Sequence, residues 1–86
     1  MVERKNRDRF LVVVEEGGSR TEHTVTLDED YYARLTDGKF SKEELIERSF
    51  KFLLAREPKE SILRSFNLKV IRRYFPEYEE TIRSTR

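Results

Sequence analysis

The chain has 86 residues, no cysteine and 41% charged side chains, with 18 basic against 17 acidic residues and a formal net charge of +1. That length fits a single core, the lack of thiols excludes disulfides, thiolate metal sites and a thiol nucleophile, and the balanced charge exerts no global pull toward nucleic acid. No stretch approaches the roughly 20 apolar residues of a membrane span, and the charged start from Met1 to Arg9 leads into no apolar run long enough for a signal peptide, so a cytoplasmic protein without membrane contact is expected.

Residues 1–7 have nothing to bury and are expected to form a disordered tail, followed by one α+β domain over 8–83 and a frayed end at 84–86. Arg9 to Glu16 is a β-branched apolar run too short for a helix, and Gly17-Gly18-Ser19 behind it supplies turn residues able to take positive φ. Thr21 to Leu27 alternates with period two, placing His23, Val25 and Leu27 on one face and Glu22, Thr24 and Thr26 on the other. The pair predicts a β-hairpin.

Asp28 then offers an N-cap, with Glu29 and Asp30 suited to the positive end of a helix dipole. A short helix carrying Tyr31, Tyr32 and Leu35 should end at Gly38. Ser41-Lys42-Glu43-Glu44 reads as a capping box, and opens a central helix over about 43–56. Its apolar residues Leu45, Ile46, Phe50, Phe52, Leu53 and Leu54 span an arc of roughly 200°, wider than one neighbour covers. A small domain also buries only about 60 to 65% of its unfolded surface. Both points favour a second copy, with Phe50, Phe52 and Leu54 as the self-association residues of a homodimer.

Pro58 stops this helix and can open a third, lined by Ile62, Leu63 and Phe66. Asn67 caps a continuation through Leu68, Ile71, Tyr74 and Phe75 until Pro76 breaks it, and a last short helix carries Tyr78 and Ile82. The expected fold class is therefore α+β, an N-terminal β-hairpin followed by three to four helices.

Charge is unevenly distributed along this order. Glu15 to Glu47 holds ten acids against four bases, a net of −6, while the flanking stretches are basic. Catalytic patterning is not legible: no phosphate-binding glycine loop, metal-binding histidine pair or nucleophile elbow occurs, so no enzyme activity, catalytic residue, metal, cofactor or small-molecule substrate is expected. His23, the sole histidine, reads as a half-buried strand residue hydrogen-bonded to a neighbour. Asp28-Glu29-Asp30 and Glu43-Glu44 read as helix-start acids rather than cation ligands, and Tyr31-Tyr32 as core and rim.

From Thr24 to Glu57, T-V-T-L-D-E-D-Y-Y-A-R-L followed by S-K-E-E-L-I-E-R-S-F-K-F-L-L-A-R-E resembles the ribbon-helix-helix family of DNA-binding regulators and antitoxins. That resemblance implies a two-subunit ribbon in the major groove, with outward Glu22, Thr24 and Thr26 facing bases and Ser41 and Lys42 near a phosphate. Lys59 to Phe75 is similar to a helix-turn-helix, with Arg64, Lys69, Arg72 and Arg73 on its basic half. The whole chain also resembles a group of small prokaryotic proteins without an assigned function, which carry R-E-P-K-E-S-I-L (Arg56 to Leu63) and Y-F-P-E-Y-E (Tyr74 to Glu79). An acidic reading segment without Arg, Lys, Asn or Gln suits DNA poorly. The first functional expectation is accordingly a non-enzymatic module that binds protein, its own copy included, and the second is a DNA-binding regulator.

Overall fold

The computed structural model describes residues 1–84. In chain order these form β1 (Val2–Arg4), β2 (Arg9–Glu16), β3 (Ser19–Thr26), α1 (Glu29–Thr36), α2 (Lys42–Leu54), β4 (Ser65–Asn67), α3 (Ile71–Tyr74) and α4 (Tyr78–Ser84), with 3-10 turns at Lys59–Ser61 and Leu68–Val70. The architecture is α+β, with an N-terminal strand region. Its four-stranded sheet runs β1-β2-β3-β4, antiparallel except for the parallel β3–β4 pair.

β2 and β3 form the expected hairpin, paired from Arg9 opposite Thr26 to Glu16 opposite Ser19. Gly17 and Gly18 have φ of 59° and 79°. Two consecutive positive values make the tight turn whose twist matches the strands on either side. Phe10, Val12 and Val14 stand opposite Val25, His23 and Thr21, and all six are buried. This is the face that the helices cover.

Two segments depart from the expected hairpin and widen the sheet. Residues 2–4, expected as tail, pair with β2 in the register Val2 to Val12 and Arg4 to Phe10. Directly opposed residues share a face, so Val2 packs on the core and the Arg4 guanidinium lies 5.6 Å from the centre of the Phe10 ring. β2 would otherwise leave a buried row of backbone groups unpaired, and a short strand meets that need without an apolar run of its own.

The helix expected after Pro58 is replaced by a single 3-10 turn and an extended stretch ending in β4. Ile62 and Phe66, four residues apart, satisfy a helical spacing and a period of two alike. The open edge of β3 decides between them: Thr24 N–H donates to the Arg64 carbonyl at 2.7 Å, and Thr24, Val25 and Thr26 pair with Ser65, Phe66 and Asn67. Tertiary pairing overrides local preference. The same change removes the first helix of the helix-turn-helix resemblance.

α2 is the centre of the fold. Ser41 caps it as expected, accepting from Glu44 N–H at 3.0 Å, while the Glu44 carboxylate pairs with Arg48. Leu45, Ile46, Phe50, Phe52 and Leu53 are all buried within the one chain, and Leu54 is half-buried. Phe50 packs toward the sheet, 5.3 Å from His23 and 6.1 Å from Phe66 between ring centres. Phe52 points elsewhere, edge-on to Phe75 at 5.7 Å and Tyr78 at 5.3 Å. The wide apolar arc is thus closed by the sheet on one side and the C-terminal segments on the other. A second copy is not required to cover it.

Asp28 precedes α1 but makes no side-chain cap. Its carboxylate reaches across to β4 instead, 3.4 Å from Asn67 Nδ2 and 3.4 Å from Lys69 Nζ. Asn67 in turn accepts from Lys69 N–H at 3.1 Å. α1 closes on Asp37 at φ 54° and Gly38 at φ 72°, and α4 carries Tyr78 and Ile82 into the core as expected. Residues 85 and 86 of the expected frayed end lie outside the described residues.

Candidate functional site

At its C-terminal end α2 unwinds onto a single acceptor, with Arg56 N–H and Glu57 N–H both donating to the Leu53 carbonyl at 2.9 and 2.8 Å. Pro58 follows in an extended conformation, which its ring favours and which turns the chain back toward the sheet. After the 3-10 turn, Ile62 and Leu63 point in opposite directions. Ile62 enters the core and Leu63 stands outside, 48% exposed.

His23 fixes this stretch. Its Nδ1 lies 2.8 Å from the Leu63 carbonyl oxygen and its Nε2 lies 2.8 Å from Thr21 Oγ1. A carbonyl can only accept, so Nδ1 carries a proton, and in the neutral ring Nε2 then accepts from the threonine hydroxyl. The histidine is fully buried rather than half-buried, and both ring nitrogens are occupied in holding the chain. Among the described residues no group of three or more His, Asp or Glu side chains is placed to share a metal ion.

Between the end of α2, the Leu63 stretch and α3 lies a groove of about 360 Å³. Buried Leu53, Ile62 and Ile71 form its floor, and half-buried Phe66, Val70 and Phe75 its walls. Leu63 and Tyr74 stand at its rim, Tyr74 67% exposed. Among the described residues the exposed large apolar side chains are Met1, Leu63 and Tyr74, so two of the three border this one cavity. Single exposed apolar residues are ordinary on a protein surface, whereas a pair flanking a concave apolar wall marks a place for a ligand or partner.

The surroundings are basic. Residues 57–75 carry Lys59, Arg64, Lys69, Arg72 and Arg73 against Glu57 and Glu60, a net of +3. Lys59 is buried and bonded to Glu60 at 2.9 Å, and that hydrogen bond holds the Glu60 carboxyl below the usual carboxylate range. Lys69 pairs with Asp28 and Arg72 with Glu79, each at 3.4 Å. Arg64 and Arg73 are exposed and make no ion pair among the described residues. They follow Leu63 and precede Tyr74 in the chain.

The residues singled out from the sequence lie elsewhere. Phe50 and Leu54 border a shallow cleft with Val2, Val12 and Val14 on the β1 side of α2, and Phe52 lies on the other side of the helix. They do not form one surface. Thr24 and Thr26 do face away from the core, as the alternation predicts, but β3 is an interior strand with β2 on one edge and β4 on the other. A ribbon between two subunits needs a free strand edge, and Thr24 to Thr26 has none. The Ser41 hydroxyl serves as the α2 cap. Lys42 pairs with Glu29, which holds the Glu29 carboxyl below its usual range, and lies 5.6 Å from the Tyr32 ring centre.

Leu63 and Tyr74 escape sequence reasoning because helical spacing assigns both to the core. The usable signal is the adjacent pair Ile62-Leu63 in front of a strand, since neighbouring side chains in extended chain cannot both face inward. No family model matches this chain, and neither the curated proteins nor the solved structures contain a match to it.

Proposed function

We propose that this chain is a small protein-interaction module of the cytoplasm, without chemistry of its own, which takes apolar side chains of a partner into the groove between Leu63 and Tyr74. The observation that carries the reading is the placement of two exposed large apolar residues on either side of a concave wall continuous with the core. Covering a Leu-sized side chain stabilises a complex by about 1.5–3 kcal/mol, and a floor of packed core residues needs little rearrangement to receive it. A cytoplasmic setting accords with the absence of cysteine and with the absence, among the described residues, of a helix long and apolar enough to cross a membrane.

The test is selection of displayed peptides on the folded protein, followed by mapping of the amide resonances that move on binding. Selected peptides should shift Leu63, Phe66 and Tyr74, and should lose about tenfold or more in affinity against Leu63→Asp, the scale of one lost apolar anchor. Leu54→Asp, on the other side of α2, should bind them normally. A selection that returns no binder, or a footprint away from the groove, defeats the proposal. Steeply salt-dependent binding of random duplex DNA with shifts at Thr24 and Thr26 would favour the regulator reading instead.

A further inference from the structure

We infer that the segment received by this groove is acidic as well as apolar and belongs to a different protein rather than to a second copy. The inference rests on the docking reading above and names the chemistry of its occupant.

Charge complementarity is the first ground. Residues 57–75 hold a net of +3 in a chain whose total is +1, so the stretch that builds the groove is one of the basic stretches of the chain. The neighbouring cations differ in how fully they are used. Lys59, Lys69 and Arg72 each pair with a carboxylate within the fold, whereas Arg64 and Arg73 make no ion pair among the described residues, Arg64 standing only at longer range from Glu22 and Glu60, whose carboxyls it helps to hold down. These two sit beside the rim residues Leu63 and Tyr74 in the chain, and guanidinium groups remain charged throughout the accessible pH range. Glu57 lines the groove at its α2 end, so the carboxylates of the bound segment belong at the Leu63 and Tyr74 end. Apolar anchors supply affinity in such a complex, while arginines supply steering and choice of partner.

The second ground is what a copy of the chain has to offer. Two copies meeting groove to groove would present the same patch to each other, as a twofold interface must, and Arg64 and Arg73 would face their own equivalents. A head-to-tail pairing would use the acidic stretch from Glu15 to Glu47. There the large apolar side chains are buried or, like Tyr32 and Phe40, half-buried, and the exposed Met1 beside Glu15, Glu16 and Glu47 is a single anchor that brings the chain's own ammonium group with it, so that face offers no pair of apolar anchors among carboxylates. A separate protein presenting apolar residues among carboxylates meets both conditions.

The probes are two fluorescein-labelled synthetic peptides with identical Leu and Phe positions, one with Asp and Glu at the remaining positions and the other with Lys. The acidic peptide should bind about tenfold more tightly or better at roughly 50 mM salt, and the preference should shrink severalfold at roughly 500 mM as screening sets in. Arg64→Glu combined with Arg73→Glu should reverse the preference, and Arg64→Ser combined with Arg73→Ser should erase it without reversal. Both arginines are exposed, and unchanged thermal melting will show that each variant folds. Equal binding of the two peptides at the groove would overturn the charge inference and leave the docking reading standing. Binding of neither would remove both. A dimer in sedimentation that Leu63→Asp dissociates would assign the groove to a second copy and overturn the inference in that way.

Discussion

His23 donates from Nδ1 to the carbonyl oxygen of Leu63 at 2.8 Å, across 40 positions of sequence. That bond ties an interior strand to the rim of the groove, and because the carbonyl can only accept it fixes the proton on Nδ1, with the Thr21 hydroxyl against the opposite nitrogen. Replacing His23 with Ala opens a cavity beside Phe50 and leaves the Leu63 carbonyl and the Thr21 hydroxyl without partners. The expected loss is about 2–4 kcal/mol in urea denaturation. Asn, which also carries an N–H donor on a short side chain, should recover part of it. An alanine variant unfolding at the wild-type midpoint would contradict this account.

Tyr78 gives the fold a defined response to alkali. Burial pushes its phenol up, with the Ser49 contact at 2.6 Å acting in the opposite sense, and burial together with the Glu79 carboxylate does the same for Tyr31. A tyrosine in the unfolded chain ionises near pH 10, so above that value the unfolded state holds fewer protons than the folded one. The stabilisation is complete below pH 10 and declines above it, by about 1.4 kcal/mol per pH unit for Tyr78. Tyr78→Phe should therefore be less stable than wild type at neutral pH by about 1 kcal/mol, one hydrogen bond, and the difference should close as pH rises past 10. A constant gap in denaturation midpoints across that range would argue against it.

Phe52 and Leu54 separate core from surface on the same helix. The Arg56 guanidinium lies 3.6 Å from the centre of the Phe52 ring, which also meets Phe75 and Tyr78. Phe52→Ala should cost about 3–5 kcal/mol. Leu54→Ala, at a half-buried position, should cost about 1 kcal/mol or less. Because the chain covers its own arc, the melting temperature of the wild type should not depend on protein concentration. A rise on concentrating the protein would return Leu54 and its cleft to an intermolecular role.

The first strand can be read directly from amide exchange. Met1 and Val13 exchange both backbone bonds at 2.8 Å, and Lys5 N–H donates to Arg9 at 2.9 Å. The alternation of an antiparallel ladder then directs Glu3 N–H inward and those of Val2 and Arg4 outward. Glu3 and Lys5 should exchange slowly and Val2 and Arg4 quickly. Uniformly fast exchange would restore residues 1–7 to a tail.

Elements whose signals are local were legible in the sequence. The glycine turn after Glu16, the period-two alternation of β3, the Ser41 cap and the Tyr78 helix all declare themselves within a few residues. β1 and β4 do not, because neither has enough apolar content to stand alone; each exists because a neighbouring strand leaves backbone groups to be paired. Reading Ile62, Leu63 and Phe66 as a helix also placed Leu63 inside, and so hid the groove. The wide arc on α2 is legible from spacing alone, but the chain that covers it is not, since β1 and the stretch after Pro58 carry no local signal of the strands they form.

The parallel pairing of β3 with β4 has a consequence for when the groove can exist. β3 precedes both long helices and β4 follows them, so the sheet is finished only after everything between has been threaded into place. Contacts of such long sequence separation form late and slowly. Until that pairing forms, the bonds from Thr24 and His23 that hold the Leu63 stretch in place are missing, and a partner of the kind proposed would discriminate against incompletely folded chains.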